Sequence, residues 1–521
     1  GLSFTDRIQA LDADLPVLGT FVPVTYDSAS GDDLDLTHRL CRSQPGRRDV
    51  QRGHHGIIHT RERPPEPALL PRADPIPPNY DVDARPSTSR KEPRDGWSRI
   101  RRRPVNPLAD EIMPVQGDRM SMSSRRALVV GDGVGGRTLA FWLLRAGWTV
   151  EIIASGDPSP AARQARLDLG GSAGEVVSRM GLTDAASTGA LPRMYTTYMT
   201  ASGRVVAAGY DSPDGTSRPG VWTTEQHLCA LIGQASGLGD LVRQDHIDAV
   251  GTSERAVHAY CHSGLGDYGY DVLVVADGMR SQTRGLTMER DIGPTAVPGE
   301  LTRFALASDL NRRSGPHHRR HYTAGGRRSV TVETTPEGRA YVEMFHLPRV
   351  PMLIEDQPVE TQKAFLAQHF ADIGWASQDL LRLFDTASDF THHTFRAVQV
   401  HGPWWHGRSV LLGDAAHGRG AADGSGTSLD LIAGYVLAGH LTTHSDPARA
   451  FSAYEAFMRP VVTAALARRM LRLRQTHPLT LLGVQLLHRR HALMVLRPCE
   501  LRLSASDAGR VLLPVFPALA R

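Results

Sequence analysis

The sequence predicts an α/β fold, α+β overall, in which a parallel-sheet domain built from separated segments carries an inserted antiparallel sheet and a helical C-terminal region. Three short apolar runs, each of which ends in a Gly/Asp motif, predict the parallel strands. The motifs are Gly131–Gly136, Ala276–Gly278 and Gly413–His417. Stretches that alternate apolar and polar residues predict antiparallel strands within 185–225 and 295–400.

Residues 1–119 differ in composition from the rest of the chain. They hold 15 of the 34 prolines, and Arg-rich pieces alternate with Asp-rich pieces without helical or strand periodicity. Such a segment buries too little apolar surface to offset its ordering entropy, so we predict that it is disordered. Because Met120 and Met122 directly precede the first strand, we expect native translation to start there and the extension to be non-native. A functional tail is the alternative.

The first predicted strand begins a βαβ unit. Arg126–Val130 predicts a buried strand, Arg137–Ala146 a helix that Gly147 closes, and Thr149–Ala154 a second strand. The acidic residue that usually ends the second strand and binds ribose hydroxyls is missing, because Ala154 stands there. Glu151 lies three residues too early, which leaves Ser155 or Asp157 as weak substitutes.

The turn between the first strand and the helix has the pattern Gly131-x-Gly133-x-x-Gly136. The first glycine allows the tight turn, the second lets a pyrophosphate approach the backbone, and the third lets helix and strand pack closely. Free N–H groups and the partial positive charge of the helix N-terminus favour phosphates. The loop, with Val134 and Gly135, is therefore predicted to bind a dinucleotide rather than to be a structural turn.

Two further strands run into the other motifs. Asp271–Ala276 leads into Asp277 and Gly278, and Ser409–Leu412 leads into Gly413, with a helix predicted from about 427 to 441. From Pro447 onward the pattern is mostly helical.

Asp414 stands where a strand gives way to a helix. A carboxylate there can accept hydrogen bonds from the ribityl hydroxyls of a flavin. The following helix can direct N–H groups and its dipole at the flavin pyrimidine, which favours the reduced ring. An N-cap without a ligand is the alternative. We expect His417 to be a structural contact beside the cofactor rather than a catalytic base.

Taken together, these motifs resemble those of class A flavoprotein monooxygenases of the para-hydroxybenzoate hydroxylase superfamily, over about 126–460. Within that superfamily the chain is most similar to actinobacterial polyketide hydroxylases and tetracycline-inactivating monooxygenases. The motifs that carry the resemblance are Gly131–Gly136 with Phe141–Leu143, Leu167–Gly171 with Met180–Leu182, Ala276–Arg284, Gly407–His417 and Gly424–Leu429.

The resemblance implies a Rossmann-like FAD-binding domain, with FAD as cofactor and NAD(P)H as co-substrate. It implies that Asp277 supports both FAD and NAD(P)H binding, that Asp414 contacts the ribityl chain, and that the small residues of the 424–428 loop lie beside the isoalloxazine. Arg166, with Arg163, is a candidate phosphate contact or a solvated arginine. The predicted cofactor-binding residues are Gly131, Gly133, Val134, Gly135, Gly136, Arg166, Asp277, Gly278, Gly413, Asp414, Ala415, Gly424, Gly426, Thr427 and Ser428.

The implied reaction is reduction of FAD by NAD(P)H, capture of O2 as a C4a-hydroperoxide and transfer of one oxygen to an electron-rich substrate. We therefore expect an NAD(P)H-dependent monooxygenase, similar to EC 1.14.13 enzymes, that hydroxylates an aromatic or polyketide-like small molecule. No catalytic acid or base is expected, because the flavin carries the chemistry. The alternatives are a flavin oxidoreductase that does not insert oxygen and a divergent, non-catalytic ligand-binding protein.

Three positions depart from the family pattern. Ala154 replaces the acidic ribose ligand, Glu225 stands where the family usually has Arg beside the flavin, and Ala421 stands where a Pro shapes the flavin-side loop. Losing a charged hydrogen bond at such a position costs on the order of a few kcal/mol of cofactor binding. We therefore expect weakened or exchangeable FAD.

The order of the patterns predicts seven segments. They are 1–119, a disordered or non-native extension; 124–185, 226–294 and 401–445, the three parts of the FAD-binding domain; 186–225 and 295–400, the two parts of the substrate domain; and 446–521, a C-terminal helical region.

Composition excludes several classes of protein. A net charge of +4 gives no general case for nucleic-acid binding. The four cysteines form no CxxC pair, which argues against a zinc site and a disulfide framework, so no metal is expected. No stable membrane span and no secretion signal are visible, so we expect a cytoplasmic monomer or homodimer.

The C-terminal region is rich in arginine. Between Ala464 and Leu503 there are eight arginines, and Glu500 is the only acidic residue. We expect helices that pack on the FAD-binding domain and keep the arginines on a solvated face. An amphipathic helix at a membrane surface is the alternative.

Overall fold

The computed structural model describes the chain from Ser124 to Leu519 with several gaps. The described residues are 124–154, 166–210, 221–264, 269–288, 292–306, 317–335, 339–383, 387, 389–418, 425–496 and 511–519. The predicted extension 1–119 lies outside these ranges, as do Ser155, Asp157, Arg163, Ala421 and Gly424.

The first half of the described chain alternates strands with helices. Its strands are β1 (Arg126–Val130), β2 (Thr149–Ala154), β3 (Arg166–Asp168), β4 (Tyr195–Met199), β5 (Val205–Tyr210), β6 (Trp222–Thr224), β7 (Val242–Gln244), β8 (Ile247–Thr252), β9 (Val257–Cys261), β10 (Gly269–Tyr270) and β11 (Val272–Val275). Its helices are α1 (Val134–Arg145), α2 (Gly171–Arg179), α3 (Thr183–Thr188), α4 (Glu225–Ser236) and α5 (Thr283–Thr287), with a 3-10 turn at Leu238–Leu241.

The second half begins with long strands and ends in helices. Its strands are β12 (Thr295–Leu306), β13 (His318–Ala324), β14 (Arg328–Thr334), β15 (Ala340–His346), β16 (Thr391–Ala397), β17 (Trp405–His406) and β18 (Ser409–Leu411). Its helices are α6 (Val359–Phe370), α7 (Ser377–Arg382), α8 (Asp414–His417), α9 (Ser425–Thr443), α10 (Pro447–Thr476) and α11 (Leu481–Leu496), with a 3-10 turn at Pro517–Leu519.

One sheet has six strands, in the order β17-β18-β11-β1-β2-β7. All of its neighbouring strands run parallel except the short β17. Four adjacent side chains of β11 and four of β1 are fully buried, as a parallel sheet covered on both faces requires. The predicted α/β fold is confirmed.

The three central strands end at the same level. Val130, Val275 and Leu411 are cross-strand partners, so the residues that follow them leave the sheet side by side. The three Gly/Asp motifs begin within two residues of these strand ends. Ligands of open parallel sheets bind beyond the carboxyl ends of the strands, and this edge is therefore the place to look for a site.

A seven-stranded sheet, in the order β16-β12-β15-β14-β13-β4-β5, forms a second layer. Its described strand pairs are antiparallel except β4 and β13, which run parallel. One face is apolar and packs on α6 and α7 through Phe304, Val330, Val342, Leu366 and Phe370. The other face is polar.

Two helices begin earlier than the sequence pattern predicts. Helix α1 begins at Val134 rather than at Arg137, because Gly133 serves as its N-cap and Gly135 and Gly136 lie in its first turn. Helix α9 covers Ser425–Thr443 rather than 427–441. No helix among the described residues is long and apolar enough to cross a membrane.

The last described segment, residues 511–519, packs back onto the central domain. Val511 exchanges hydrogen bonds with Ser172 of α2, and Arg179 and Tyr435 both donate to the carbonyl of Pro514. Phe516 covers α9 at Gly439, where a Cβ would lie 2.1 Å from the ring.

Helices α1 and α9 approach each other closely at Gly434. A Cβ at Gly434 would lie 2.8 Å from Gly135 O and 3.1 Å from Leu139 N, both of which are backbone atoms. We therefore expect Gly434→Ala to lower the free energy of unfolding by about 1–3 kcal/mol in a urea titration, because the helices must separate.

Gly285→Ala is the matched control, since Gly285 lies in helix α5 and nothing lies within 4 Å of its Cβ position. This substitution should leave stability unchanged or raise it, because alanine restricts the unfolded chain. An equal loss in both variants would contradict close packing at Gly434.

Candidate functional site

The backbone of the first motif can contact the backbone of the second because Gly131 has no side chain. Gly131 has φ +119°, and a Cβ there would lie 2.1 Å from Ala276 O. The Gly131 N–H donates to Ile153 O at 2.7 Å, and Ala276 N–H donates to Val130 O at 2.7 Å. The backbones of the two motifs are therefore in direct contact.

The N-terminus of α1 is suited to an anion. Its N-cap, Gly133, has extended backbone and offers no side chain to the first N–H groups of the helix. A Cβ at Gly136 would lie 2.2 Å from Gly131 O, so the helix begins close to the strand. N–H groups that converge without a capping side chain fit a pyrophosphate.

The second motif is tied to the third by Arg284. This side chain is only 1% exposed, and it donates to Met279 O at 3.0 Å, Ile292 O at 2.7 Å and Ala415 O at 3.0 Å. Asp277 accepts a hydrogen bond from Thr283 N–H at 3.4 Å, and burial raises the pKa of its carboxyl. Arg284 belongs to the motif that carries the family resemblance, but the sequence assigned it no role.

The third motif forms a single helical turn, α8. Asp414 begins it, and Gly426 in the first turn of α9 lies beside it, with its Cβ position 3.6 Å from Asp414 Oδ1. His417 is buried against Trp404, with the ring centres 5.3 Å apart. Burial lowers the pKa of His417 to about 4, so the ring is neutral at physiological pH.

Two further carboxyl groups flank the glycine loop. Glu225 is the first residue of α4, and its Oε1 lies 3.9 Å from the Cβ position of Gly133. The Cβ atom of Asp430, in α9, lies 3.4 Å from the position that a Cβ would take at Gly135. Its Oδ1 is 2.5 Å from the Cβ position of Gly413. We call Glu225, Asp414 and Asp430 the acid cluster.

The pKa values of the acid cluster are raised because its members are buried near one another. Burial, followed by the charge of Asp414, raises the pKa of Glu225 to about 7. Burial also raises the pKa of Asp414, and the positive charge of Arg469 lowers it by a smaller amount. Burial, Asp414 and Glu225 together raise the pKa of Asp430 well above its ordinary value. Like charges at close range favour the protonated form of at least one partner.

This arrangement fits FAD on one condition. The bare helix N-terminus fits the pyrophosphate, and Asp414 fits the ribityl hydroxyls as an acceptor. Glu225 and Asp430 fit beside phosphates only as neutral acids, because a protonated carboxyl donates a hydrogen bond whereas a carboxylate repels the anion. The sequence identified Glu225 as a departure, but it missed Asp430, which lies outside the recognised motifs.

Arg137 lies at the glycine loop, where its Nε donates to Asp132 O at 3.2 Å. Arg137 pairs with the Asp132 carboxylate at 2.6 Å and donates to Cys229 O of α4 at 3.0 Å. Arg166, in β3, donates to Pro192 O at 2.7 Å and lies 5.3 Å above the ring of Trp222. These two contacts of Arg166 are with residues near its own strand, and its predicted phosphate contact stays a prediction.

The remaining predicted site residues lie on the same elements. Gly278 follows Asp277, and Thr427 and Ser428 lie in the first turns of α9, where Ser428 Oγ is 3.5 Å from Asp168 O. Gly424 lies outside the described residues.

The polar face of the seven-stranded sheet carries aromatic rings, neutral polar groups and ion pairs such as Arg319–Glu333 at 2.9 Å. Phe345 and Phe395 lie 5.9 Å apart, and His477 of α10's C-terminal end lies 4.4 Å from Phe345. His321 shares hydrogen bonds with Thr331 Oγ1 at 2.9 Å and Thr323 Oγ1 at 3.0 Å. Burial lowers the pKa of His321 to about 3, so the ring is neutral.

Two arginines connect this face to the motifs. Arg469 of α10 lies 6.0 Å from the Phe395 ring, and its charge acts on Asp414 of the third motif. Arg280 of the second motif is close enough for its charge to act on His393 of β16. The motif edge of the central sheet and the polar face of the second sheet therefore border one region.

These features define a dinucleotide-binding α/β fold whose motif edge borders a second, mixed sheet. The chain belongs to the FAD binding domain family, whose model matches residues 125–469. The predicted resemblance to class A flavin monooxygenases is confirmed, and FAD is the cofactor of the family.

Individual relatives agree with this assignment. A flavin-dependent monooxygenase from an unknown prokaryotic organism is 26% identical over 348 residues, which cover 66% of this chain and 87% of that protein. Tetracycline destructase Tet(55) has a similar fold, with a TM-score of 0.59 and 23% identity over 73% of this chain and 99% of that one. Klebsiella pneumoniae HpxO complexed with FAD and uric acid has a TM-score of 0.56 and 19% identity, covering 71% and 92% of the two chains.

The acid cluster predicts how stability depends on pH. Because the pKa of Glu225 is higher in the folded protein, its contribution to the free energy of unfolding is fully present below its ordinary pKa of 4.5. That contribution is lost as the pH rises through about 7. We expect the free energy of unfolding to fall from pH 5 to pH 8 by a smaller amount in Glu225→Gln than in the unmodified protein, as measured by urea titration at both pH values.

Glu254→Gln is the control, since Glu254 is an exposed glutamate in the β8–β9 turn. It should keep the pH dependence of the unmodified protein. If Glu225→Gln also keeps it, Glu225 does not hold a proton in the folded state.

Proposed function

We propose that the protein is an FAD- and NAD(P)H-dependent monooxygenase that hydroxylates an aromatic or polyketide-like small molecule. The main support is that the third motif and the polar sheet face border one region. Arg469 lies 6.0 Å from the Phe395 ring of that face, and its charge acts on Asp414 of the motif. Two structural relatives are a tetracycline destructase and HpxO complexed with uric acid, and both tetracycline and uric acid are fused-ring compounds.

Bound FAD would supply the redox chemistry, in which NAD(P)H provides two electrons, one atom of O2 enters the substrate and the other leaves as water. The chain's own residues would bind and orient FAD and the substrate, and would exclude water. The α1 N-terminus would hold the phosphates, and Asp414 would accept hydrogen bonds from the ribityl hydroxyls. Arg284 keeps the second and third motifs at a fixed separation through its three carbonyl contacts.

The polar face would position the substrate. Phe345 and Phe395 offer ring surfaces to a planar substrate, for which offset or edge contacts are favourable. His321 is neutral and already engaged with two threonine hydroxyls, and the same face also carries the ion pairs Arg319–Glu333 at 2.9 Å and Arg303–Glu343 at 3.8 Å. Neutral hydrogen-bonding groups beside aromatic rings suit a phenol or an enol better than an ionic substrate.

No described side chain is assigned the role of catalytic acid or base. His417 is buried against Trp404 and held neutral, which is consistent with a packing role beside the cofactor. Cys229 is assigned no nucleophilic role either, because burial and Glu225 raise the pKa of its thiol to about 12.

The acid cluster favours a second candidate, a divergent protein that binds FAD weakly or binds another ligand without turnover. Glu225 and Asp430 flank the phosphate loop and would oppose phosphates whenever they ionise. Flavin absorbance of the purified protein distinguishes the two candidates. A colourless protein that binds no added FAD would support the second candidate.

The reaction is tested with isotopically labelled O2 and a panel of phenolic and polyketide-like compounds. We expect substrate-dependent oxidation of NAD(P)H and one labelled oxygen atom in the product for each NAD(P)H that is consumed. Product formation without the label would instead show a flavin oxidoreductase, and NAD(P)H oxidation that yields only hydrogen peroxide with every compound would contradict hydroxylation.

The role of the polar face is tested by Phe395→Ala. Losing the ring should raise KM for the substrate roughly tenfold, because an aromatic contact is lost together with its buried area. FAD affinity, measured by flavin fluorescence, should stay unchanged. Phe365→Ala is the control, since Phe365 lies on α6, which packs on the opposite face. Equal KM values for both variants would show that the polar face does not bind the substrate.

A further inference from the structure

A histidine pair lies at one end of the small sheet formed by β10, β9 and β8. His246 directly precedes β8, and His262 directly follows β9. The His262 N–H donates to His246 O at 3.0 Å, which makes the two residues cross-strand neighbours. Their imidazole rings are stacked, with centres 4.3 Å apart and planes inclined by 20°.

A β-bulge brings a carboxylate to this pair. The register of β8 against β9 shifts between Ile247 and Ala249, so Asp248 is the extra residue of the bulge. Bulges change the direction in which a side chain points and recur at functional positions. Asp248 Oδ1 lies 3.5 Å from His246 Nε2, and Asp248 Oδ2 lies 3.1 Å from His262 Nδ1. Both rings therefore direct a nitrogen at one carboxylate.

Asp245 fixes the backbone on either side of the pair. Its Oδ1 accepts from the His246 N–H at 2.9 Å and from the Ser263 N–H at 3.3 Å, and its Oδ2 accepts from the Ser263 hydroxyl at 2.5 Å. The residue before one histidine is thereby joined to the residue after the other. These bonds hold the backbone beside both histidines in place, as a preorganised site requires.

The spacing of the donor atoms matches that of a metal site. One nitrogen or oxygen atom from each of the three residues lies within 4.8 Å of the others. Tetrahedral zinc has bonds of about 2.0–2.2 Å, which place ligand atoms about 3.4 Å apart. The two N···O distances of 3.5 and 3.1 Å are close to that value. All three residues are exposed, so small side-chain rotations can close the remaining distance.

We propose that His246, Asp248 and His262 form a binding site for one divalent transition-metal ion of the zinc class, with water completing the coordination. Imidazole nitrogens suit Zn²⁺, Co²⁺, Ni²⁺ and Cu²⁺, whereas Mg²⁺ and Ca²⁺ require oxygen ligands. The sequence pattern hides this site, because its histidines are 16 positions apart and meet only through strand pairing.

The same contacts also describe an ion pair in which a protonated histidine shares its proton with Asp248. The two interpretations differ in what Zn²⁺ does. In a metal site, one ion replaces the proton and joins β8 to β9, and because only the folded chain presents the three ligands together, binding stabilises the fold. In an ion pair, Zn²⁺ finds no site at these residues.

The test uses the full chain, stripped of metal with a chelator and titrated with Zn²⁺ in a calorimeter. We expect one equivalent to bind at this site in the unmodified protein and the affinity to fall at least tenfold in both His246→Ala and His262→Ala. Co²⁺ should give a visible absorption band that the same substitutions remove, Mg²⁺ should give no heat, and Zn²⁺ should raise Tm.

His406→Ala is the matched control, because the chain has 23 histidines and His406 is an exposed histidine of β17 outside the cluster. It should keep the Zn²⁺ affinity, the Co²⁺ band and the rise in Tm. The proposal is overturned if Zn²⁺ does not bind, or if it binds equally to His246→Ala, His262→Ala and His406→Ala. Because FAD plays no part in these readouts, the outcome is independent of the proposed monooxygenase activity.

Discussion

The backbone contact between Gly131 and Ala276 is the constraint on which the rest of the site depends. Val130, Val275 and Leu411 end three neighbouring parallel strands at the same level, so three motifs that are distant in sequence begin side by side. They can meet only if one of them presents no side chain at the crossing point, and Gly131 meets that condition. Helix α1 then begins with no capping side chain on its first N–H groups.

Close packing around that contact also explains the unusual chemistry of the site. Gly135 and Gly413 leave room for Asp430, which therefore lies near Asp414 and Glu225 in a region with little water. Removing water from carboxyl groups raises their pKa values, and their mutual repulsion raises them further. The protein thus combines a phosphate loop of the usual form with neighbouring acids that must stay protonated to be compatible with FAD. This combination separates the chain from a family member with arginine in place of Glu225.

The sequence predicted the local features well, and the structure shows why it missed the others. Strands β1 and β2 have the predicted bounds, because apolar runs and glycine turns are local signals. Helix α1 begins three residues early because glycines count against a helix in a sequence pattern even where tertiary contacts require them. The polar sheet face, Asp430 and the His246–His262 pair depend on residues that are remote in sequence. Strand register and helix packing bring these residues together, and neither can be read from a single sequence.

The most direct test of this account is to compare FAD binding by Gly131→Ala with FAD binding by Gly181→Ala. Both glycines have positive φ, at +119° and +77°, but only Gly131 faces a neighbouring backbone, and nothing lies within 4 Å of the Cβ position of Gly181. The account predicts that Gly131→Ala loses FAD binding in a fluorescence titration, whereas Gly181→Ala keeps it. FAD binding by Gly131→Ala with the affinity of the unmodified protein would show that the site does not depend on this contact.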